Sequence, residues 1–565
     1  MGGAAASAQA EEDLGQHGIF LDTVEVSLIN LEVFASAGGE PVTDLSTDDF
    51  AVLDDGQPVE ITNFTRVDRA PRPAAPEPAM GEPPAGDVGA PVVAERDQTT
   101  VVLLVDQLFV SPISRKQVFE AAAQQLQELI DDGARIMVVN KTRDISVEQE
   151  PTSNPALVRS ALDRLAGSAT PSYSSEITTM IEVWQITPSA VEGRQSGPGQ
   201  PGPALATSEL DAQRAYQDAR ALSLRIHQDV LASLETLRRF LDSLAGLPGR
   251  KALVYVADHL PTRPGELLWR TWWEKYGLEH GLTFGATLTG PPDLELSKPL
   301  EELISDANTS RVAFYPVGTD AGPNLSSASS RGLTGQTRTA ARTTESRSGD
   351  GLRWLAQRSG GRPASTIGQL DGLFDGLIED LSSYYSLGYA SPHSGDGEVH
   401  HVEVRVTRPG VALRYPTEYR DKSVEQRMND RTLSALTLGV ENNALGVRVS
   451  VGKAKRQGRF FTVPVEVHVP MANVVLFPDG ASHRGKLSIQ WISRDDGGRY
   501  SDPVLVRLPF EVANGNVARA LSQTIDYTAE LTLRDGRHTL AIGVSDDLGF
   551  SGSTLKVEVD VGSAR

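Results

Sequence analysis

The sequence predicts a multi-domain protein of mixed α/β plus all-β class. A central doubly wound, Rossmann-like α/β domain is expected between a small N-terminal β domain and a C-terminal immunoglobulin-like β-sandwich. Three observations carry that prediction. Continuous apolar runs, Thr99–Asp106 and Lys251–Asp258 foremost, read as strands buried on both faces, as in a parallel sheet covered by helices. Between residues 98 and 392 such runs alternate with helical periodicity. Beyond residue 432, short strands recur with turn signals between them.

Taken in order, residues 1–18 are expected to be a leader remnant or disordered; Ala8-Gln9-Ala10 is a small-x-small cleavage pattern without the charged and apolar regions that normally precede one. Residues 19–68 alternate apolar and polar side chains around Val24, Val26, Leu28, Leu31 and Val33. With the hairpin signal Asp55-Gly56 they predict the small β domain. Residues 69–97, rich in Pro, Ala and Gly, predict a linker. Residues 98–422 predict the α/β domain with insertions and appended strands. Val118–Ile130 places Phe119, Ala122, Leu126 and Leu129 on one helical face. Ala134–Asn140 is the next buried strand and Thr142–Glu150 a short edge strand. A stretch at 186–206 is irregular, and a long helix near 207–246 stops at Gly246 and Pro248. Strands at Arg311–Val317, Arg362–Thr366 and Ser383–Ala390 and helices near 350–358 and 369–381 complete the alternation around a loop at 321–349. Two further strands, Val399–Thr407 and Val411–Tyr415, are appended. Residues 423–565 predict the sandwich.

Composition excludes several functions. A net charge of −21 without clustered Lys/Arg argues against nucleic acid. The absence of cysteine rules out disulfides, thiolate catalysis and cysteine-ligated zinc. No apolar run reaches the roughly 18 residues of a membrane-spanning helix. No nucleophile elbow, His-Glu-x-x-His or dinucleotide glycine motif is present, so no enzyme activity is expected. Gly480–Lys486 imitates a phosphate loop but ends in Leu487 within the sandwich. His400-His401 lies on a strand, where the two rings point to opposite faces.

Several segments, in this order, resemble the von Willebrand factor type A proteins common in Acidobacteria: GEPVTDLSTDDFAVLDDGQPVEITNF (39–64), VVLLVDQL (101–108), LAGLPGRKALVYVADHLP (244–261), RVAFYPV (311–317), LAQRSGGRP (355–363) and EDLSSYYSLGY (379–389). The resemblance implies an A-type domain flanked by β domains in a secreted or periplasmic protein. Such domains hold a divalent cation with Asp-x-Ser-x-Ser after the first strand, a threonine in a later loop and an aspartate after the fourth strand. Asp106 matches the first position, Thr170 the threonine and Asp258 the last carboxylate. Leu108 and Val110 replace the two serines, while Ser111 and Ser114, just beyond, are the candidate substitutes. An all-oxygen set of this kind takes Mg²⁺ or Mn²⁺. The alternative is a relic crevice in which Asp106 and Asp258 cap helix N-termini or pair with Arg115 or Arg263.

Trp269, Trp272 and Trp273 supply half of the chain's 6 tryptophans, with Tyr276 beside them. Clustered Trp and Tyr form interface hot spots, and equally a ring stack that packs an insertion onto its domain. The sequence therefore predicts a non-enzymatic exported protein. Its A-type domain binds a protein or other extracellular macromolecule through the degenerate crevice or the tryptophan segment. A structural role in cell-envelope assembly is the alternative, and a hydrolase ranks behind both.

Overall fold

The computed structural model describes residues 28–68, 99–167, 180, 204–247, 249–258, 260–272, 276, 294–318 and 351–562. The expected leader (1–18), the linker (69–97), most of the irregular stretch at 186–206 and the loop at 321–349 lie outside them.

The first strands are β1 (Leu28–Ala37), β2 (Glu40–Pro41), β3 (Phe50–Asp54), β4 (Gln57–Val59) and β5 (Asn63–Asp68), of which β3 alternates buried with more exposed residues. Asp55 and Gly56 both sit at positive φ (46° and 78°) between β3 and β4, the backbone that a two-residue hairpin needs.

The α/β domain begins with β6 (Thr99–Asp106), every residue of which is buried. The order continues α1 (Pro112–Asp131), β7 (Arg135–Lys141), β8 (Ile145–Thr152), α2 (Pro155–Ala166), α3 (Ala204–Ala245), β9 (Arg250–Val256), α4 (Glu266–Trp272), α5 (Ser297–Thr309), β10 (Val312–Val317), α6 (351–359) and α7 (Leu370–Ser382). The strands form one sheet in the order β10-β9-β6-β7-β8, parallel except for β8 at its edge. Alternate residues of β6 explain its unbroken hydrophobicity. Val101, Leu103 and Val105 pack with residues of α1, α2 and α7, whereas Val102 and Leu104 face α3, α5 and α6. The strand expected at Arg362–Thr366 is reduced to a single bridge, Val317 to Ala364.

After α7 the chain re-enters the first module through β11 (Ser383–Ala390), β12 (Val399–Val406), β13 (Ala412–Arg414) and β14 (Glu418–Arg420). β11 lies between β1 and β5, and β12 pairs with β3, all antiparallel. The two sheets, β13-β1-β11-β5 and β14-β12-β3-β4, enclose Leu31, Val33, Phe50, Val52, Leu387 and Val404. This corrects two expected boundaries. The β segment of 19–68 is one half of a module, the strands expected as an appendage of the α/β domain are the other half, and the α/β domain is inserted between them.

Buried charge joins the parts. Arg250 of β9 binds Glu32 of β1 at 2.6 Å and lies 4.0 Å over the Tyr384 ring of β11. Asp380 of α7 receives Arg362 at 2.7 Å, the Tyr315 hydroxyl at 2.8 Å and Arg414 of β13. A further helix, α8 (Val424–Leu438), opens the segment expected to be all-β. Its Leu433, Ala435 and Leu436 pack on Ile492 and Ala541 of the C-terminal sandwich. Lys422, just before it, bridges Asp242 of α3 (2.7 Å) and Asp430 of α8 (2.8 Å). The remainder is two antiparallel sheets around Val463, Val465, Val467, Leu487, Ile489, Ile542 and Val544.

Candidate functional site

The strand order reverses at β6: β7 lies on one side of it and β9 on the other. The carboxyl ends of β6 and β9 therefore flank the position of the crevice in which open α/β sheets bind ligands. Asp106, the last residue of β6, lies at its floor with 0 % exposure. Its Oδ2 accepts the Tyr255 hydroxyl at 2.6 Å and meets Lys141 Nζ at 2.9 Å, and its Oδ1 accepts the Leu108 N–H at 3.1 Å. Lys141, itself 1 % exposed, also donates to Ser233 of α3. Burial and the neighbouring carboxylate push the Tyr255 hydroxyl well above its ordinary pKa, so it remains a donor.

Asp258 follows β9. Its N–H donates to the Phe109 carbonyl at 2.9 Å, and its Oδ2 accepts the Ser111 N–H at 2.7 Å. The two strand ends brought together as predicted are thus tied by the backbone that starts α1. Ser111 is the N-cap of α1: its Oγ accepts the Ser114 N–H at 3.2 Å and lies 2.7 Å from Ser114 Oγ. Both hydroxyls expected as substitute ligands already serve the helix terminus. Neither arginine of the alternative reading pairs with the aspartates as expected. Arg115 turns to Gln107 and the Ala166 carbonyl, and Arg263 lies 3.3 Å from Glu295. Thr170 lies outside the described residues. The group missed in the sequence is Lys141. The signal was present, because parallel register sets Lys141 directly opposite Asp106.

The tryptophan segment is reassigned. Trp272 is 4 % exposed, donates its indole N–H to the Ala212 carbonyl at 2.9 Å and takes the Tyr216 ring edge-on at 5.5 Å. Tyr276 is buried beside it, 6.1 Å away, and Trp269 is half-buried against the same Tyr216. Trp272 and Tyr276 are core side chains that seat the α4 segment on α3, not exposed partner anchors; Trp273 lies outside the described residues.

A second constellation lies in the β module. Asp54 ends β3, is 1 % exposed, and accepts hydroxyls from Tyr389 (3.0 Å) and Tyr419 (2.7 Å) on Oδ2. His393, on the loop after β11, brings Nε2 to 3.2 Å from Asp54 Oδ1. His400 of β12 sets Nδ1 2.9 Å from Asp55 Oδ2 and Nε2 3.1 Å from Asp396 Oδ1. The imidazoles stack at 3.4 Å and 10°. Burial works against the charged form of His400, but the hydrogen bonds to Asp55 and Asp396 outweigh it and raise its pKa. His401 points outward, as the strand alternation requires. Donor atoms of Asp54, Asp55, His393 and His400 lie within 4.8 Å of one another, so this Asp/His cluster could hold a metal.

No family model matches the chain, and neither does any curated protein. Among solved structures, the chain is similar to the von Willebrand factor domain of the type V pili tip protein Mfa5 from Porphyromonas gingivalis, with 10 % identity over 50 % of this chain and 94 % of that one and a TM-score of 0.23. A von Willebrand factor type A protein from Catenulispora acidiphila matches at 9 % identity over 82 % of this chain and 66 % of its own, with a TM-score of 0.19. Proximal thread matrix protein 1 from the mussel byssus matches at 11 % identity and a TM-score of 0.23 over 53 % of this chain, which spans 50 % of the mussel protein's length. These likenesses are loose and do not assign the chain to a family.

Proposed function

We propose that this is a non-enzymatic, exported interaction protein. Its von Willebrand factor A-like domain would offer the loops at the carboxyl ends of its parallel strands to a protein or another extracellular macromolecule, without a cation at that crevice. The observation that carries this reading is the Lys141 ammonium 2.9 Å from Asp106. It stands on the carboxylate that a Mg²⁺ or Mn²⁺ ion would need, already supplies a positive charge, and is fixed by the sheet register. Thermal unfolding with EDTA, Mg²⁺ and Mn²⁺ tests it. Neither ion should move the melting temperature, because a ligand stabilises only the state it binds. A Mg²⁺-dependent rise that vanishes in Asp106→Ala would overturn the cation-free crevice.

A second reading, a rigid component of envelope assembly, draws support from the buried ionic seams. Glu32–Arg250, Asp380–Arg414 and Lys422–Asp242 each connect separate parts of the chain. Limited proteolysis separates the two readings. A rigid rod resists cleavage around residues 421–424, between β14 and α8, whereas hinged modules are released there.

A further inference from the structure

We propose that Asp54, Asp55, His393 and His400 form a zinc site that clasps the β module. Imidazole nitrogen and carboxylate oxygen are the donors zinc takes alongside thiolate. At bond lengths of about 2.0–2.1 Å, the edges of a tetrahedron around zinc are about 3.3–3.4 Å. The observed separations bracket that value: His393 Nε2 to Asp54 Oδ1 is 3.2 Å, His393 Nε2 to Asp55 Oδ2 is 3.8 Å, and His400 Nδ1 to Asp55 Oδ2 is 2.9 Å.

The surroundings complete the argument. A histidine bound to a metal through one nitrogen commonly donates its other N–H to a carboxylate, and ligand carboxylates are themselves hydrogen-bonded. His400 has that partner in Asp396, 3.1 Å from Nε2. Asp54 has its Oδ2 held by the Tyr389 and Tyr419 hydroxyls, which leaves Oδ1 facing the cluster. The ligand-bearing backbone is fixed as well. Asp55 Oδ1 accepts the His401 N–H at 2.9 Å, and Asp421 Oδ2 accepts both Ser391 Oγ (2.6 Å) and the Gly395 N–H (2.9 Å), shaping the loop that carries His393.

Charge balance points the same way. Among the described residues no lysine or arginine pairs with Asp54, Asp55 or Asp396; their ion-pair partners are the two imidazoles. The two rings stack face to face at 3.4 Å, and one divalent ion would balance the carboxylates they meet. Binding requires the rings to splay, because each nitrogen lone pair lies in its own ring plane. His393, on a loop and more exposed than His400, is the ring that turns.

The full-length chain, stripped with chelator and dialysed, is titrated with ZnCl₂ by calorimetry and thermal unfolding. One zinc per chain is expected, with a higher melting temperature that EDTA reverses and Mg²⁺ does not reproduce. Co²⁺ should give the intense visible bands of a four-coordinate site. Asp55→Asn keeps the turn, since asparagine tolerates positive φ, and should weaken zinc at least 100-fold, as should His393→Asn. Asp396→Asn, a positioning change, should cost about 10–100-fold. No zinc binding, or binding of unchanged affinity in Asp55→Asn and His393→Asn, would overturn the proposal. Zinc and magnesium report on different sites, so this result and that for the crevice fail independently.

Discussion

Asp106 and Asp54 each end a strand, each lie out of solvent, and each accept tyrosine hydroxyls on one carboxylate oxygen. They differ in what balances the charge. Asp106 has the ammonium of Lys141, covalently part of the next strand. Asp54 has an imidazole from a loop. A carboxylate with a built-in ammonium is permanently compensated and has little use for an exchangeable ion. One beside two stacked imidazoles has no such built-in cation. On the zinc proposal, the β module and not the crevice is the part that would respond to an ion.

Breaking the Lys141 pair should have the largest effect. Lys141→Met strands a buried carboxylate and should lower the unfolding free energy by about 3–5 kcal/mol in urea titrations. Adding Asp106→Asn should recover part of the loss; an equal loss in the double variant would show that packing, not charge, governs the crevice. Next comes a lysine without such a partner. Lys251 of β9 is buried and reaches only the Leu247 carbonyl at 3.1 Å, and desolvation pulls its pKa down to about 7. Above pH ~10.4 neither folded nor unfolded chain carries this proton. As pH falls, the unfolded lysine takes it first, and the folded one only near pH 7. Stability should therefore decline from about pH 10 to pH 7 and level off below. Lys251→Met should remove that slope and raise stability at pH 7, against the loss in Lys141→Met.

The tyrosines sharpen the comparison further. Tyr255→Phe should cost about 1.5–3 kcal/mol, the range for a hydrogen bond to a charged group. Tyr419→Phe should cost less, because Tyr389 still donates to the same Asp54 oxygen. Chemical denaturation of both variants measures the difference. The smallest effect belongs to Ser111→Ala, an N-cap loss of about 1 kcal/mol. Like the parent chain, the variant should show no shift of melting temperature with Mg²⁺.

Much of this was readable from residue patterns. Thr99–Asp106 and Ser383–Ala390 are strands with the expected ends, the Asp55-Gly56 hairpin is present, and Asp106 and Asp258 stand at the carboxyl ends of neighbouring strands where the strand order reverses. Four of the helices α1–α8 escaped, the short Glu266–Trp272 among them. Val424–Leu438 buries Asp430, Thr432 and Ser434 among its apolar residues, which blurs its stripe, whereas Ser297–Thr309 carries Leu300, Leu303, Ile304 and Ala307 at helical spacing and was legible. Pro155–Ala166 had ordinary signals, an Asn154 cap and Pro155 in its first turn, that went unread. Lys141 could have been found by extending its strand one residue. The Asp54–His393 pairing could not, because periodicity reports which face a residue occupies and not which distant strand lies beside it.

The insertion of one domain inside another also sets an order of events in time. β1 and β5 pair with β11, which is made more than three hundred residues later. At a synthesis rate of ~5–20 residues per second, the first strands wait roughly 15–60 s for their neighbour. Throughout that interval Leu31 and Val33 belong to an open strand edge, the kind of surface that mispairs with other chains. The earliest β structure in the sequence is thus among the last to be completed, and the yield of folded protein depends on how well that waiting edge is kept apart from its copies.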